Sequence, residues 1–221
     1  MGERDLQADG LATHAVRAIS FLLIRAQTVA LEIPMSPETL AQALQIPLAR
    51  ASLWADPLSA AMALYEIDTP AREAAFLAQC GHECGRFQWL RELWGPTPEQ
   101  KLYEPFTPKS RALGNTTAGD GFRYRGGGLL GITGRYNFRV MGQKIGFDLE
   151  ANPDLIVRPD VASLASAQFW ADRNFNAYAD AGEFLTLSRA INLGNPNSTA
   201  TPNGIDDREQ LWTSCKAALG A

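Results

Sequence analysis

Few residues of this chain are available for metal or disulfide chemistry. It has three cysteines and two histidines in 221 residues. Three thiols cannot all pair, and Cys80 and Cys84, one helical turn apart, aim poorly at each other for a disulfide. The count predicts folding in a reducing compartment. Cys80-x-His82-x-Cys84 has only Cys215 and His14 left to complete a metal site, and its spacing fits no usual zinc pattern. His82-Glu83 begins like H-E-x-x-H, but position 86 is arginine. No metal or other cofactor is expected.

Long apolar runs are also lacking. A membrane span needs about 20 such residues, and the run from Ala18 to Ile24 is broken by Arg25. Glu3, Asp5 and Asp9 differ from the positive start of a signal peptide, so no export signal is read. Positive charge is not in excess either. The formal net charge is −4, which leaves no basic footprint for nucleic acid. Any anionic polymer would have to meet local patches such as Arg123, Arg125, Arg135 and Arg139.

What remains is a globular composition, 46% hydrophobic and 20% charged. The length suits one substantial domain with an appendage. Residues 1–34 read as an N-terminal extension, with one helix from Ala12 to Leu31 closed by Glu32-Ile33-Pro34. The domain proper, 35–221, starts near Met35. Ser36-Pro37, Asp56-Pro57 and Thr69-Pro70 each pair a capping residue with proline at the first helical position. They predict helices over roughly 37–46, 57–66 and 70–85. Further helices are expected over 135–145, 160–173, 181–191 and 206–219, with Asp180 and Glu183 as a capping box for the third.

Between 86 and 134 prolines and turn residues dominate. Tyr124-Arg-Gly-Gly-Gly-Leu-Leu-Gly-Ile-Thr133 is too glycine-rich for a comfortable helix. It reads as a short β-hairpin or an extended cleft wall approached closely by a ligand. The fold class is mainly α, with at most a small β-hairpin.

Glu83 is the most informative single residue. Helical spacing places it with Phe76, Gln79, Cys80 and Phe87. A mostly apolar neighbourhood strips hydration from a carboxylate and favours its protonated form. That is the state needed to protonate a leaving glycosidic oxygen. The plainer alternative is that Glu83 ends a core helix and points to water.

An ordered set of segments resembles the lysozyme-like glycoside hydrolase family 19, in particular its phage endolysin branch. The set comprises Phe76-Leu-Ala-Gln-Cys-Gly-His-Glu-Cys-Gly85, Glu92-Leu-Trp-Gly-Pro-Thr97, Leu113-Gly-Asn-Thr-Thr-Ala-Gly-Asp-Gly121 and Tyr124 to Phe138. Asn152-Pro-Asp-Leu155, Phe169-Trp170, Asp180 to Phe184, Ile191-Asn192 and Asp207-Arg208 complete it. The resemblance implies a lysozyme-like α-helical domain with a central substrate cleft and an inverting two-carboxylate mechanism. Glu83 matches the general acid and Glu92 the base, with Glu104 as a rival base. Nine residues of unbroken helix would rise about 13.5 Å and put Glu83 and Glu92 on opposite sides. A shared cleft therefore needs the helix to stop, and Gly85 supplies a break.

Thr133 and Asn137 match positions that orient water and sugar, with turn capping as the plainer role. Tyr124 is expected to line the cleft or to pack, and Asn192 and Arg208 to lie near its floor. The family pattern G-R-G-x-I-Q-L-T is broken twice, by Gly127 for the arginine and Gly131 for the glutamine. The second change removes an amide that holds sugar or water, or makes room for a bulkier substituent.

The resemblance implies a muramidase acting on peptidoglycan strands in phage or prophage lysis. It would work as a monomer, held in the host cytoplasm until a membrane-permeabilising partner such as a holin releases it. A chitinase acting on N-acetylglucosamine polymers and a non-catalytic glycan-binding module are the alternatives. A lytic transglycosylase is a lesser one.

Overall fold

In a computed structural model of the protein, residues 34–221 are described. The helix expected between Ala12 and Leu31 lies outside them. The described residues fold as α1 (Pro37–Leu44), α2 (Leu48–Leu64) and α3 (Pro70–Glu83), followed by three short helices. These are α4 (Pro98–Lys101), α5 (Pro108–Ala112) and α6 (Asp120–Arg123). Then come α7 (Arg135–Ile145), a 3₁₀ turn at Pro153–Val157, α8 (Pro159–Ala171) and α9 (Phe175–Asp180). α10 (Phe184–Leu193) and α11 (Ile205–Leu219) end the chain. No helix among the described residues is long and apolar enough to cross a membrane.

Local signals set several of these boundaries. Ser36 Oγ accepts the Thr39 N–H at 3.1 Å, and Thr69 Oγ1 accepts that of Arg72 at 3.3 Å. Thr97-Pro98 and Thr107-Pro108 repeat the same signature, each with a full capping box. Two expected boundaries differ. Asp56-Pro57 does not open a helix, because Pro57 lies inside α2, which begins at Leu48. The carbonyl that loses its bond belongs to Leu53, a residue 64% exposed, where water can replace the missing donor. Asp180 does not cap α10 either. It ends α9, and its carboxylate takes two bonds from Arg72, both at 2.7 Å.

Two apolar clusters form the interior. The larger one gathers α1, α2, α3 and α11 with α9 and α10. Trp54 stacks on Phe87 there at 4.7 Å, and Phe76 meets Trp170 edge-on at 5.3 Å. The smaller holds Tyr124, Ile132, Phe138, Met141 and Ile156, around α7 and the 3₁₀ turn. The glycine-rich segment forms only the rudiment of the expected hairpin, a turn closed by isolated antiparallel bridges rather than an extended wall. Gly127 exchanges backbone bonds with Ile132 at 3.0 and 2.9 Å and also bridges Arg91. No longer strand forms among the described residues.

Candidate active site

Helix α3 ends at Glu83 because the next residues leave helical space. Gly85, Arg86 and Phe87 have φ of 57°, 57° and 63°. Two non-glycine residues in the left-handed region are strained, and such strain persists only where the surroundings impose it. Here Arg86 N–H bonds Gly81 O at 2.6 Å and Trp89 N–H bonds Cys84 O at 2.9 Å. Phe87 is held on Trp54, and Arg86 reaches Asp207 at 2.7 Å. The break expected at Gly85 is thus a three-residue reversal, and Glu83 and Glu92 lie on separate segments.

The N-terminus of α11 is packed onto this reversal. Gly204 has φ 65°, and a Cβ there would lie 2.1 Å from the His82 ring, so only glycine fits. His82 Nδ1 pairs with Asp207 at 2.6 Å. Burial works to raise Asp207, but the bonds from His82 and Arg86 outweigh it and hold its carboxyl below the usual range.

Arg208, next in the chain, is 1% exposed and sits behind Glu83. Its Nη2 donates to Glu83. Its Nη1 donates to Gln79 at 2.5 Å, and its Nε to the Asn203 carbonyl at 3.0 Å. Gln79 donates onward to Ser188 at 2.7 Å, which donates to the Phe184 carbonyl at 2.8 Å. This buried network is fully partnered, which makes it rigid and costly to break. The Glu83 side chain is 25% exposed. Its nearest polar neighbour is a cation rather than the apolar surface expected from helical spacing.

Glu92 stands where the chain pairs with the glycine-rich segment. Its N–H donates to Gly126 O at 2.8 Å. Its carboxylate accepts the Gly126 N–H on Oε2 at 3.0 Å and Gln100 Nε2 on Oε1 at 2.9 Å. Thr133 is alongside, since a Cβ on Gly126 would meet Glu92 Oε2 at 3.3 Å and Thr133 Oγ1 at 3.4 Å. The tertiary structure thus joins Glu92 and Thr133 across 41 positions of sequence. Glu104 instead accepts the Gly119 N–H at 2.8 Å, bracing the start of α6.

The remaining candidates divide. Asn137 donates to Thr133 O at 2.6 Å, and Thr133 to Gly131 O at 2.9 Å. Both bonds are local, and both residues stay near the surface. Tyr124 does not line a cleft. It is 1% exposed, packs edge-on against Phe138 at 5.5 Å and donates to Glu150 O at 2.9 Å. Asn192 accepts the Asn203 N–H at 2.8 Å, which fixes the loop that supplies a carbonyl to Arg208. Arg208 is too deeply buried to touch a sugar, so it acts on Glu83 instead.

The two glycine departures have different settings. A Cβ at Gly127 would meet Ile156 Cγ2 at 2.7 Å and Arg91 Nη1 at 3.3 Å, so Arg91 and Ile156 fill the space outside its backbone. Gly131 has φ 66°, and a Cβ there would meet nothing within 4 Å. A separate surface hollow of about 350 Å³ lies between Arg139 and Glu150 and contains none of the expected site residues.

Gln100, which bonds Glu92, is not among the residues the sequence singles out, and neither is Trp89, which covers the reversal at Gly85. Gln100 was legible as the fourth member of the Thr97-Pro-Glu-Gln capping box. Trp89 is 57% exposed, and its indole lies over Gly85, where a Cβ would be 2.6 Å from the ring. No local pattern marks it.

Similarity to known proteins points one way. A glycosyl hydrolase family 19 domain-containing protein of Haemophilus influenzae is 30% identical over 164 residues, covering 64% of this chain and 76% of its own length. Chitinase 6 of Oryza sativa is 30% identical over 151 residues, 66% of this chain and 53% of its own length. The chain spans about half the length of the plant chitinases it matches. No protein-family model matches it. Among solved structures, chitinase C from Streptomyces griseus superposes with a TM-score of 0.64 at 20% identity, covering 85% of this chain and 77% of that one. A bacterial family 19 chitinase gives 0.62 at 20% identity, covering 85% and 95%. At these identities the structures show a shared fold.

Proposed function

The chain belongs to glycosyl hydrolase family 19, and on that premise we propose that it is an inverting muramidase of the endolysin type. Its bond would be the β-1,4 link between N-acetylmuramic acid and N-acetylglucosamine in peptidoglycan. Glu83 gives its proton to the leaving glycosidic oxygen as the C1–O bond breaks. Glu92 takes a proton from the water whose oxygen bonds C1 from the opposite face. Arg208 complements the anion that Glu83 becomes after its proton is delivered. Thr133, beside Glu92, supplies a hydroxyl to orient that water.

One observation favours the wall polymer over chitin. Where the family pattern has glutamine, Gly131 leaves open space two residues from Thr133. Muramic acid differs from glucosamine by a lactyl ether that carries the stem peptide, and such a group needs room. The plant relatives are named chitinases, which keeps hydrolysis of N-acetylglucosamine polymers as the second reading. In a phage or prophage setting, access to the wall would fall to a holin-type partner.

The test is digestion of purified peptidoglycan beside chitin oligomers, with products read by mass spectrometry. The muramidase reading expects wall fragments that gain one water per cut, with muramic acid at the new reducing end and the α-anomer first. Cleavage of chitin alone would make it a chitinase. Anhydro products would indicate a transglycosylase, and binding without product a glycan-binding module.

A further inference from the structure

We propose that Gln100 is a positioning residue for Glu92, holding the base carboxylate in one orientation for catalysis. The inference rests on the assignment of Glu92 as base. Gln100 is 5% exposed, and both ends of its amide are in use. Oε1 accepts the N–H groups of Gly95 at 3.2 Å and Thr97 at 2.9 Å. Nε2 donates to the Leu93 carbonyl at 2.6 Å and to Glu92 Oε1 at 2.9 Å. A flipped amide would set its oxygen against two acceptors and its nitrogen against two donors, so the network fixes which end faces Glu92.

The two halves of the amide do different work. The oxygen completes the capping box with Thr97, which glutamate would do as well. The nitrogen reaches outside the helix to a carboxylate eight residues back, and only an amide donor serves there. The other Glu92 oxygen is taken by the Gly126 N–H. With one donor on each oxygen, the carboxylate plane is set and each oxygen keeps a lone pair for water. A base must be held to a fraction of an ångström to align its water, which is why a lost orienting bond costs rate more than binding.

The charged and titratable groups around Glu92 leave this task to Gln100. Arg125 gives its Nε to the Glu92 main-chain carbonyl at 3.0 Å and its Nη1 to Phe122 O at 2.8 Å. Arg91 turns to Pro153 O at 3.0 Å and to Asp154 at 2.5 Å. Tyr103 faces Glu92 from the turn after α4, and its hydroxyl is pushed up by burial first and by the charge of Glu92 second.

The decisive variant is Gln100→Glu, which keeps the capping oxygen and replaces the donor by a second carboxyl. Expected are a folded protein, kcat lowered about tenfold or more at nearly constant KM, and an acidic limb of the pH–rate profile moved up by about 1 unit or more. Gln100→Met, close in size with no donor and no added charge, should lower kcat with a smaller upward shift of that limb. Thr97→Ala, which breaks the other half of the capping box, should lower the melting temperature and leave the pH profile in place. A Gln100→Glu or folded Gln100→Met protein with the kcat and pH profile of the parent would overturn the proposal. Glu92→Gln is the companion measurement. If it is inactive while the Gln100 variants are normal, positioning by Gln100 fails but the base stands. If it retains turnover, the base assignment fails, and the positioning role with it.

Discussion

Arg208 donates one terminal guanidinium nitrogen to Glu83 and the other to Gln79, so Glu83 on the last turn of α3 is anchored by the first turn of α11. Substituting Arg208 by alanine would leave Gln79, the Asn203 carbonyl and Glu83 without their donor. Breaking a largely buried pair of this kind costs about 3 kcal/mol. The melting temperature should fall by about 6–12 °C, with hydrolysis reduced even at temperatures where the variant stays folded. Calorimetry and turnover on cell wall check both.

Glu83→Gln keeps the shape and the bond to Arg208 while removing the proton donor. It should melt within a few degrees of the parent and lose about 10²–10⁴ in rate. Near-normal turnover by the folded variant would remove Glu83 from the acid role.

The glycine departures predict different outcomes when the family residues are restored. Gly127→Arg would drive its Cβ into Ile156, and overpacking of this kind costs about 1–3 kcal/mol. Gly131→Gln enters open space and bears only the left-handed backbone penalty, about 1–2 kcal/mol. It should shift preference toward chitin oligomers, because the added amide fills the room proposed for the lactyl group. Competition between the two substrates measures the shift.

Tyr124→Phe deletes the bond to Glu150 O and the bond accepted from Arg135 Nε, and leaves every hydrogen bond of Glu92 in place. It should cost about 1 kcal/mol of stability and leave KM on cell wall unchanged. A raised KM would return Tyr124 to the substrate surface.

Burial pushes the Cys84 and Cys215 thiols up to about 12, and Cys80 rises for the same reason. A raised folded value means the native state holds its protons longer than the unfolded chain. The associated stability is full below the ordinary thiol range, near 9, and is lost as pH rises from there through about 12. The thiols should stay silent to a disulfide reagent at pH 8 until the chain unfolds. Rapid labelling of the native protein would contradict their burial.

Much of the architecture was legible because its causes are local. Ser36, Thr69 and Pro70 act on residues three or four positions away, and sequence shows them directly. Pro57 misled for an instructive reason. A proline opens a helix or sits inside one according to whether the carbonyl four residues earlier can find water, and the exposure of Leu53 was settled by packing. The glycine-rich motif showed that a close approach was needed, but not that Ile156 and Arg91 occupy it at Gly127.

Sequence alone determined the mainly helical class and the end of α3 near Gly85, and it singled out Glu83 and Glu92 as the carboxylates to examine. Each depends on capping, turn chemistry or motif position within a short stretch. Only the tertiary structure decided what faces those carboxylates. Helical spacing names the neighbours of Glu83 on its own helix, yet its partner Arg208 stands 125 residues away. Glu92 is likewise held by Gly126, 34 residues on, and Tyr124 is drawn into the second apolar cluster. The environment of a side chain belongs to whichever distant segments pack against it, and that packing is a property of the whole chain.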